Sequence, residues 1–406
     1  MLQFLRNGRK ALARGGSAIF VVGNEACDLD SFVSSVAVAV QQTAATKSHS
    51  LFVPMLGIRR SDFVLRGDCT AALRYAYPTE YSDILDSLCF MDDSLANSQQ
   101  TTTNTIQNIF LTDHNIPAKS LLTRFNDSIH VVGILDHHSD EGLFADCELL
   151  RVVDSVGCAT SLAVDLLSTV NFFDNSRAAT AATAAALLTT VDHAFAKLLI
   201  SPILLDTVNL DPSFNRVTPT DIAAAQQLVL AIHKIDPAYD PLAHFRLLQL
   251  AKFDTSSLSV REMLRKDYKQ TSTSGTELGI SSVTTSFDDL IRREDGTGDF
   301  TKVIASIRAY CSELRLGILI VMTAFEDSKS KSFERELVIF VPRNGKIGSA
   351  SRNLFDLLEQ RSDLKLNHLK TVEDDDGILR WYKVGNAKIS RKLLQPIILP
   401  MIQSII

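Results

Sequence analysis

The chain has 406 residues, a net charge of −6, and 46% hydrophobic and 22% charged residues. This length exceeds one ordinary hydrophobic core, so we expect two domains. No segment approaches the roughly 18 consecutive apolar residues of a membrane helix. The negative net charge argues against broad electrostatic binding of nucleic acid. The six cysteines lack Cys-x-x-Cys spacing, which indicates reduced thiols and a cytoplasmic protein.

The first 24 residues contain no acidic side chain and carry four basic ones, Arg6, Arg9, Lys10 and Arg14. Transit peptides share this bias with the basic face of an amphipathic helix. Leucine or phenylalanine at positions 2, 4, 5 and 12 favours the helix. The sequence alone leaves organelle targeting open.

The first domain, predicted to span residues 1–251, alternates strands with helices, as in a mostly parallel, Rossmann-like α/β sheet. Segments rich in β-branched and aromatic residues predict strands at 17–23, 51–56, 108–112, 129–135 and 151–153. Apolar periodicity predicts helices at 32–40, 81–88 and 223–232 and through much of 157–205. The alanine-rich part 178–188 indicates closely packed helices, and the polar stretch 96–107 indicates a surface loop.

A polar stretch at 252–257 is predicted to link this domain to a second one, residues 258–406. The second domain begins with a predicted basic helix, Val260–Lys269. Strands are predicted at 278–283, 316–325, 336–341 and 378–384, and a further helix at 351–358. Because strands and helices do not alternate strictly here, we expect a smaller α+β domain with a mixed sheet. The apolar, proline-interrupted stretch 396–402 is expected to be a buried edge strand.

Four short acidic or histidine-containing segments follow predicted strands or apolar runs of the first domain. They contain Asp28 with Asp30, Asp113, His137 with His138, and Asp206. Because the carboxyl ends of parallel strands share one sheet edge, we expect these side chains to meet. Crowded carboxylates need cations to stay ionised. Their oxygen-rich ligand set predicts two divalent ions about 3.5–4 Å apart, Mg²⁺ or Mn²⁺, with Co²⁺ or Zn²⁺ also compatible.

Each segment also has an ordinary structural interpretation. Aspartate before a helix, as at Asp28, is often a helix cap. Adjacent histidines often form a turn, and a lone Ser390-Arg391-Lys392 is typical of a solvated surface turn. The occurrence of four such segments in one domain favours a metal site over these separate explanations.

Four motifs in the first domain resemble those of the DHH phosphoesterase superfamily. They are Gly23–Ser31, Thr112–Asn115, Leu135–His138 and Leu205–Thr207. Downstream, Ser259–Lys269 and Ile389–Lys392 resemble the DHHA2 domain of eukaryotic exopolyphosphatases, prune-type proteins and family II inorganic pyrophosphatases. The resemblance covers nearly the whole chain and is strongest to the eukaryotic cytosolic exopolyphosphatases.

Two positions distinguish the chain from relatives. Family II pyrophosphatases carry a histidine where this chain has Asn24. Loss of that imidazole is expected to weaken a preference for Mn²⁺ or Co²⁺ and to leave a site that accepts Mg²⁺. Prune-type proteins typically depart from a double histidine in the third motif, whereas His137 and His138 are both present here.

The resemblance implies an exopolyphosphatase that uses two divalent ions to hydrolyse the terminal phosphate of inorganic polyphosphate and release orthophosphate. The metal ligands that it implies are Asp28, Asp30, Asp113, His137 and Asp206, with Asp113 bridging the two ions. The implied catalytic residues are Asn24, Asp113 and His138. The implied substrate-binding residues are His138, Lys269, Arg391 and Lys392.

Two other functions stay open. One is an inorganic pyrophosphatase, or a hydrolase of short-chain or nucleoside polyphosphates, of the same superfamily. The other is a non-catalytic scaffold that binds polyphosphate, although the intact acidic set argues against it because unpaired buried charges are costly. The sequence does not set the oligomeric state, and a monomer is compatible with it.

Overall fold

The computed structural model describes residues 1–46, 50–94, 106–170, 193–327 and 330–406. The chain divides into two compact units, Met1–Asp254 and Thr255–Ile406. The alanine-rich stretch 178–188 lies outside the described residues, as does the predicted loop 96–107 except for its last two positions.

The sheet of the first unit confirms the predicted α/β fold class. Its described strands are β1 (Ala18–Val22), β2 (Leu51–Leu56), β3 (Cys89–Phe90), β4 (Gln107–Thr112), β5 (Ile129–Asp136) and β6 (Leu150–Val153). They form a parallel sheet in the order β3-β2-β1-β4-β5-β6. Five of these strands were predicted; the two-residue β3 is too short to leave a pattern in the sequence.

Helices cover this sheet. They are α1 (Leu2–Ala13), α2 (Leu29–Ala45), α3 (Gly67–Ala76), α4 (Tyr81–Ser87), α5 (Lys119–Arg124), α6 (Ala159–Thr169), α7 (His193–Asp206), α8 (Pro219–His233) and α9 (Pro241–Phe253), with 3₁₀ turns at Arg60–Leu65 and Pro212–Phe214. Every residue of α2 from Leu29 to Gln42 is buried, which explains its continuous apolar sequence. Within the described residues, no helix combines the length and apolar content needed to span a membrane.

The second unit has the predicted mixed sheet. Its strands are β7 (Tyr268–Thr273), β8 (Thr276–Val283), β9 (Ile318–Thr323), β10 (Phe325–Glu326), β11 (Phe333–Glu334), β12 (Glu336–Pro342), β13 (Leu366–Asp374) and β14 (Gly377–Val384). Six of them form a sheet in the order β13-β14-β12-β9-β8-β7, in which only the β8–β9 pair is parallel. The helices are α10 (Val260–Lys266), α11 (Phe287–Asp295), α12 (Phe300–Glu313), α13 (Ser351–Glu359) and α14 (Arg391–Ile405), with a 3₁₀ turn at Gly348–Ala350.

Two predicted boundaries shift. The predicted helix Val260–Lys269 was too long: α10 ends at Lys266, and Lys269 lies on β7, where it pairs with Ile280 of β8. The tyrosine and threonines that follow Asp267 favour a strand once a neighbouring strand is present. Lys252, expected in the linker, belongs to α9, which continues to Phe253.

The prediction of an edge strand at 396–402 was wrong, because these residues lie within α14. This helix contains both Pro396 and Pro400, the residue type that led to the strand assignment. Its buried residues are Leu394, Ile398 and Ile402. A spacing of four places them on one helical face, and that face packs into the core of the second unit. The gain from this packing outweighs the two missing backbone donors.

Candidate metal centre

The strands that carry three of the four motifs are neighbours in the sheet of the first unit. Strands β1, β4 and β5 lie side by side and parallel, so their carboxyl ends meet at one edge. Asp113 follows β4 directly, and Asp136 is the last residue of β5. Asp206 is the last residue of helix α7 rather than of a strand.

Asp113 is buried, with 2% of its surface exposed, and its backbone adopts a left-handed conformation (φ 60°). Aspartate tolerates this conformation better than most residues. Its Oδ2 accepts hydrogen bonds from Ser31 Oγ (2.6 Å) and Asn24 Nδ2 (2.8 Å). These donors fix the carboxylate so that Oδ1 faces the Nε2 atom of His137 at 3.1 Å.

A backbone contact at Nδ1 fixes the ring orientation of His137. Its Nδ1 lies 3.0 Å from the carbonyl oxygen of Val156, so Nδ1 carries the hydrogen that this contact requires. Nε2 faces Asp113 and lies 3.8 Å from Oδ2 of Asp30. An imidazole held through one nitrogen with the other facing carboxylates is the usual arrangement of a metal-binding histidine.

His138 is half-exposed and is held by Asp136. Its Nδ1 lies 2.8 Å from Oδ1 of Asp136 and 3.7 Å from Oδ1 of Asp113. The same Asp136 oxygen accepts the backbone N–H groups of His137 and His138. Asp136 therefore orients the second histidine, and the hydrogen bond that His138 donates to Asp136 raises the pKa of His138 above its usual value.

Asp30 is 3% exposed and is surrounded by donors from the N-terminus of α6. Its Oδ1 accepts from Thr160 N (2.8 Å), Thr160 Oγ1 (2.7 Å) and the thiol of Cys158 (3.0 Å). Its Oδ2 accepts one hydrogen bond from the described residues, from Ala159 N (2.6 Å), and faces His137. The α6 terminus thus stabilises the buried carboxylate and leaves one oxygen able to bind a cation.

Two groups of potential ligands result. Asp113, His137 and His138 form one, and Asp30, Cys158 and Asp206 form the other; within each group, ligand atoms lie within 4.8 Å of one another. The carboxylates are mutually repulsive. Burial and the charge of Asp30 raise the pKa of Asp113 to about 7, and burial with the same charge raises the pKa of Asp206 well above its usual value.

The donor set therefore fits divalent cations, which would remove this repulsion. Burial by itself lowers the pKa of His137, but its hydrogen bond to Asp113 and the charge of Asp30 outweigh burial and raise that pKa to about 10. A cation between these groups would replace the shared proton. Oxygen and imidazole donors suit Mg²⁺ and Mn²⁺, while the Cys158 thiol adds a softer group that the sequence did not predict.

The remaining residues of the first motif have mainly positioning contacts. Asp28 is exposed and caps α2 by accepting the backbone N–H of Ser31 at 3.0 Å, while its charge acts on both Asp113 and Asp206. The cap interpretation of Asp28 therefore holds alongside its place near the cluster. The amide oxygen of Asn24 accepts backbone N–H groups of its own turn, so Asn24 contacts Asp113 through nitrogen.

Apart from His138, the predicted substrate-binding residues belong to the second unit, which contains a cavity of about 370 Å³. Its basic lining residues are Lys266, Arg335, Arg391 and Lys392. Arg391 is held by Asp267 through an ion pair of 2.8 Å. Lys269 is exposed on β7 and does not line this cavity.

Comparisons with known proteins agree with this architecture. Residues 18–201 match the "DHH family, N-terminal domain", and residues 246–401 match the "DHHA2 domain". "Exopolyphosphatase PRUNE1" of Mus musculus is 30% identical over 404 residues, which cover 98% of this chain and 78% of that protein. The chain belongs to the DHH family. The resemblance of its motifs to DHH and DHHA2 proteins is thereby confirmed.

The chain is also similar to other proteins. The Homo sapiens protein "Exopolyphosphatase PRUNE1" is 30% identical over 406 residues, which cover 98% of this chain and 78% of that protein. A Schizosaccharomyces pombe protein provisionally named as an exopolyphosphatase is 28% identical over 418 residues, covering 99% of this chain and 98% of its own. A solved structure from Methanococcus jannaschii, provisionally named as a family II inorganic pyrophosphatase, is 16% identical in sequence and has a TM-score of 0.45. The match covers 94% of this chain and 98% of that one. That structural similarity is too low to bear on activity.

Several contributors to the DHH centre left no signal in the sequence. Ser31 holds Asp113, and Cys158 with Thr160 holds Asp30, across sequence separations of 82, 128 and 130 residues. Serine, threonine and cysteine occur throughout the sequence, so their presence alone does not indicate which of them contact a distant carboxylate. Only Ser31, which lies inside the first motif, had a position that suggested a role.

Proposed function

We propose that this DHH-family chain is an exopolyphosphatase, which removes the terminal phosphate of inorganic polyphosphate and releases orthophosphate. The observation that carries the proposal is the cluster of Asp30, Asp113, His137 and Asp206 at one edge of the parallel sheet. Full-length relatives named as exopolyphosphatases support it. The cytoplasmic location expected from the cysteine spacing stays part of the proposal.

Two divalent ions, Mg²⁺ or Mn²⁺, are the proposed cofactors. Asp30, Asp113, His137 and Asp206 would hold them, with Asp28 nearby and Asp113 shared. Such ions lower the pKa of water and neutralise phosphoryl charge. Asn24 and Ser31 would keep the Asp113 carboxylate oriented for this role through their 2.8 and 2.6 Å hydrogen bonds.

His138 and the cations of the second unit complete the proposed roles. His138, whose Nδ1 is held by Asp136 at 2.8 Å, donates a proton to the leaving oxygen or binds a phosphate oxygen. Arg391 and Lys392 bind phosphoryl groups, the arginine through two parallel donors. Lys266 lines the same cavity and is proposed to bind phosphoryl groups there, whereas the proposed contact of Lys269 lies outside the cavity.

A hydrolase of pyrophosphate or short-chain phosphates would use the same residues. Steady-state rates on pyrophosphate, tripolyphosphate and long-chain polyphosphate, measured by phosphate release, separate the two functions. We expect the highest kcat/KM on polyphosphate. A preference for pyrophosphate would overturn the proposal, and binding of polyphosphate without any turnover would identify a scaffold.

Added Mg²⁺ or Mn²⁺ is expected to stabilise the first unit, because cations relieve the repulsion between Asp113, Asp206 and Asp30. At an ion concentration of 100 Kd the stabilisation is about 2.7 kcal/mol. Thermal unfolding in chelator and in increasing metal measures it. The matched comparison is Asp113→Asn, in which the metal-dependent rise of Tm should be much smaller; an equal rise in both proteins would place the ions elsewhere.

Arg391→Ala is expected to raise KM for polyphosphate about 10-fold or more with a smaller change in kcat, because a charge-assisted contact to substrate is worth roughly 1.5–3 kcal/mol. Initial-rate kinetics on polyphosphate measure this. Lys388→Ala removes an exposed charge three residues away and serves as the control. An unchanged KM in Arg391→Ala would remove Arg391 from substrate binding and leave it only its ion pair with Asp267 at the start of α14.

A further inference from the structure

The cavity of the second unit contains a cation that the motifs did not indicate, Arg335. This residue precedes β12, and its backbone oxygen accepts the N–H of Val384 at 2.9 Å. Its Nε donates to the carbonyl oxygen of Ala387 at 2.7 Å, and its guanidinium lies 5.0 Å from the ring centre of Phe333. These contacts fix the backbone and one edge of the guanidinium.

Within the described part of the chain, the terminal N–H groups of Arg335 have no hydrogen-bond acceptor, whereas its Nε has one. Among the residues that the structure describes, no carboxylate forms an ion pair with Arg335, whereas Arg391 of the same cavity is paired with Asp267 at 2.8 Å. Arg335 is partly buried, and burial lowers its pKa. A partly desolvated guanidinium without a carboxylate gains most from an anionic ligand.

The lining around Arg335 strengthens such an interaction. Val283, Met322 and Ala324 contribute apolar surface to the same cavity, which reduces the screening of charge by water. The volume of about 370 Å³ lies in the range of small-molecule sites. The cavity therefore has a basic, partly apolar interior whose cations come from three separate elements.

We propose that Arg335 is a specificity-determining residue that binds a phosphoryl group beyond the two of pyrophosphate, and so favours tripolyphosphate and longer chains. This rests on the proposed function, since it assigns Arg391 and Lys392 to the first phosphoryl groups. These two residues are adjacent at the start of α14, and in this proposal each binds one of the two phosphoryl groups of pyrophosphate. Arg335 is anchored on a different element, and its planar pair of N–H donors matches the two free oxygens of an inner phosphoryl group.

The test compares Arg335→Met with the wild-type full-length chain. Isothermal titration with tripolyphosphate and with pyrophosphate, in chelator to prevent turnover, gives the two dissociation constants. We expect Arg335→Met to weaken tripolyphosphate binding about 10-fold or more and pyrophosphate binding less than about twofold, in keeping with one lost charge-assisted contact. With Mg²⁺ present, kcat/KM for the two substrates should change in the same ratio.

Two further variants separate recognition from structure and from net charge. Arg335→Lys keeps the charge but loses the two parallel N–H donors. Its dissociation constant for tripolyphosphate should therefore lie between those of the wild type and Arg335→Met. Arg361→Met removes an exposed arginine outside the cavity and should alter neither constant.

Equal weakening for both ligands, or no weakening for either, would overturn the role of Arg335. Absence of phosphate release by the wild type, with the binding difference retained, would instead reject the exopolyphosphatase proposal alone. The two failures are therefore distinguishable.

Discussion

Asp113→Asn is expected to lower phosphate release from polyphosphate at least about 10³-fold, which corresponds to about 4 kcal/mol in the barrier. Asp113 is the group shared between the two proposed ions, so its neutralisation weakens both. Asparagine tolerates the left-handed backbone at this position, where φ is 60°. Rates measured over a range of Mg²⁺ and Mn²⁺ concentrations test whether added metal restores activity.

The same substitution should not unfold the protein. Burial and the charge of Asp30 raise the pKa of Asp113 to about 7, so the carboxylate form is disfavoured in the metal-free protein. Removal of this charge should leave Tm in chelator unchanged or higher. Asp140→Asn, at an exposed loop acid paired with Arg151, is the control and should retain activity. Near-normal turnover in Asp113→Asn would eliminate its bridging role.

His138→Gln is expected to lower kcat about 10²- to 10⁴-fold, the usual contribution of a general acid. The side chain is half-exposed, its Nδ1 is held by Asp136 at 2.8 Å, and it is not one of the proposed metal ligands. Metal-dependent stabilisation should therefore persist. Single-turnover and steady-state kinetics, together with Tm in the presence of Mg²⁺, measure the two properties separately.

The pH profile supplies the control for this role. A general acid must be protonated, and the hydrogen bond to Asp136 raises the pKa of His138, which extends activity toward higher pH. Asp136→Asn removes that contribution, so the alkaline limb of kcat should move to lower pH. His130→Gln changes an exposed histidine at the other end of β5 and should leave the profile in place. If the alkaline limb of the kcat profile stays at the same pH in Asp136→Asn, His138 is not the general acid.

Much of the site could be predicted because its chemistry is carried by local patterns. A buried strand such as β4 or β5 produces a continuous apolar run, and an acid directly after it stands out. The two aspartates of the first motif likewise precede the long apolar helix α2. Each of these patterns spans only a few neighbouring residues, so it can be recognised in the sequence without knowing which strands are adjacent in the sheet.

Two secondary-structure predictions were wrong because tertiary packing outweighed the local sequence preference. Prolines at 396 and 400 predicted a strand, yet Leu394, Ile398 and Ile402 share a buried helical face in α14. The predicted helix up to Lys269 ended early because residues from Tyr268 onward pair with β8. In both cases a partner distant in the chain decided the backbone conformation.

The sequence by itself determined the α/β alternation, the four acidic or histidine-containing segments and the basic Ser-Arg-Lys segment, since each is a pattern of neighbouring residues. Only the tertiary structure decided that β1, β4 and β5 are adjacent, that the α6 terminus holds Asp30 from 129 residues away, and that Arg335 shares a cavity with Arg391. Contacts between residues so far apart depend on strand order and helix packing, which no local pattern specifies.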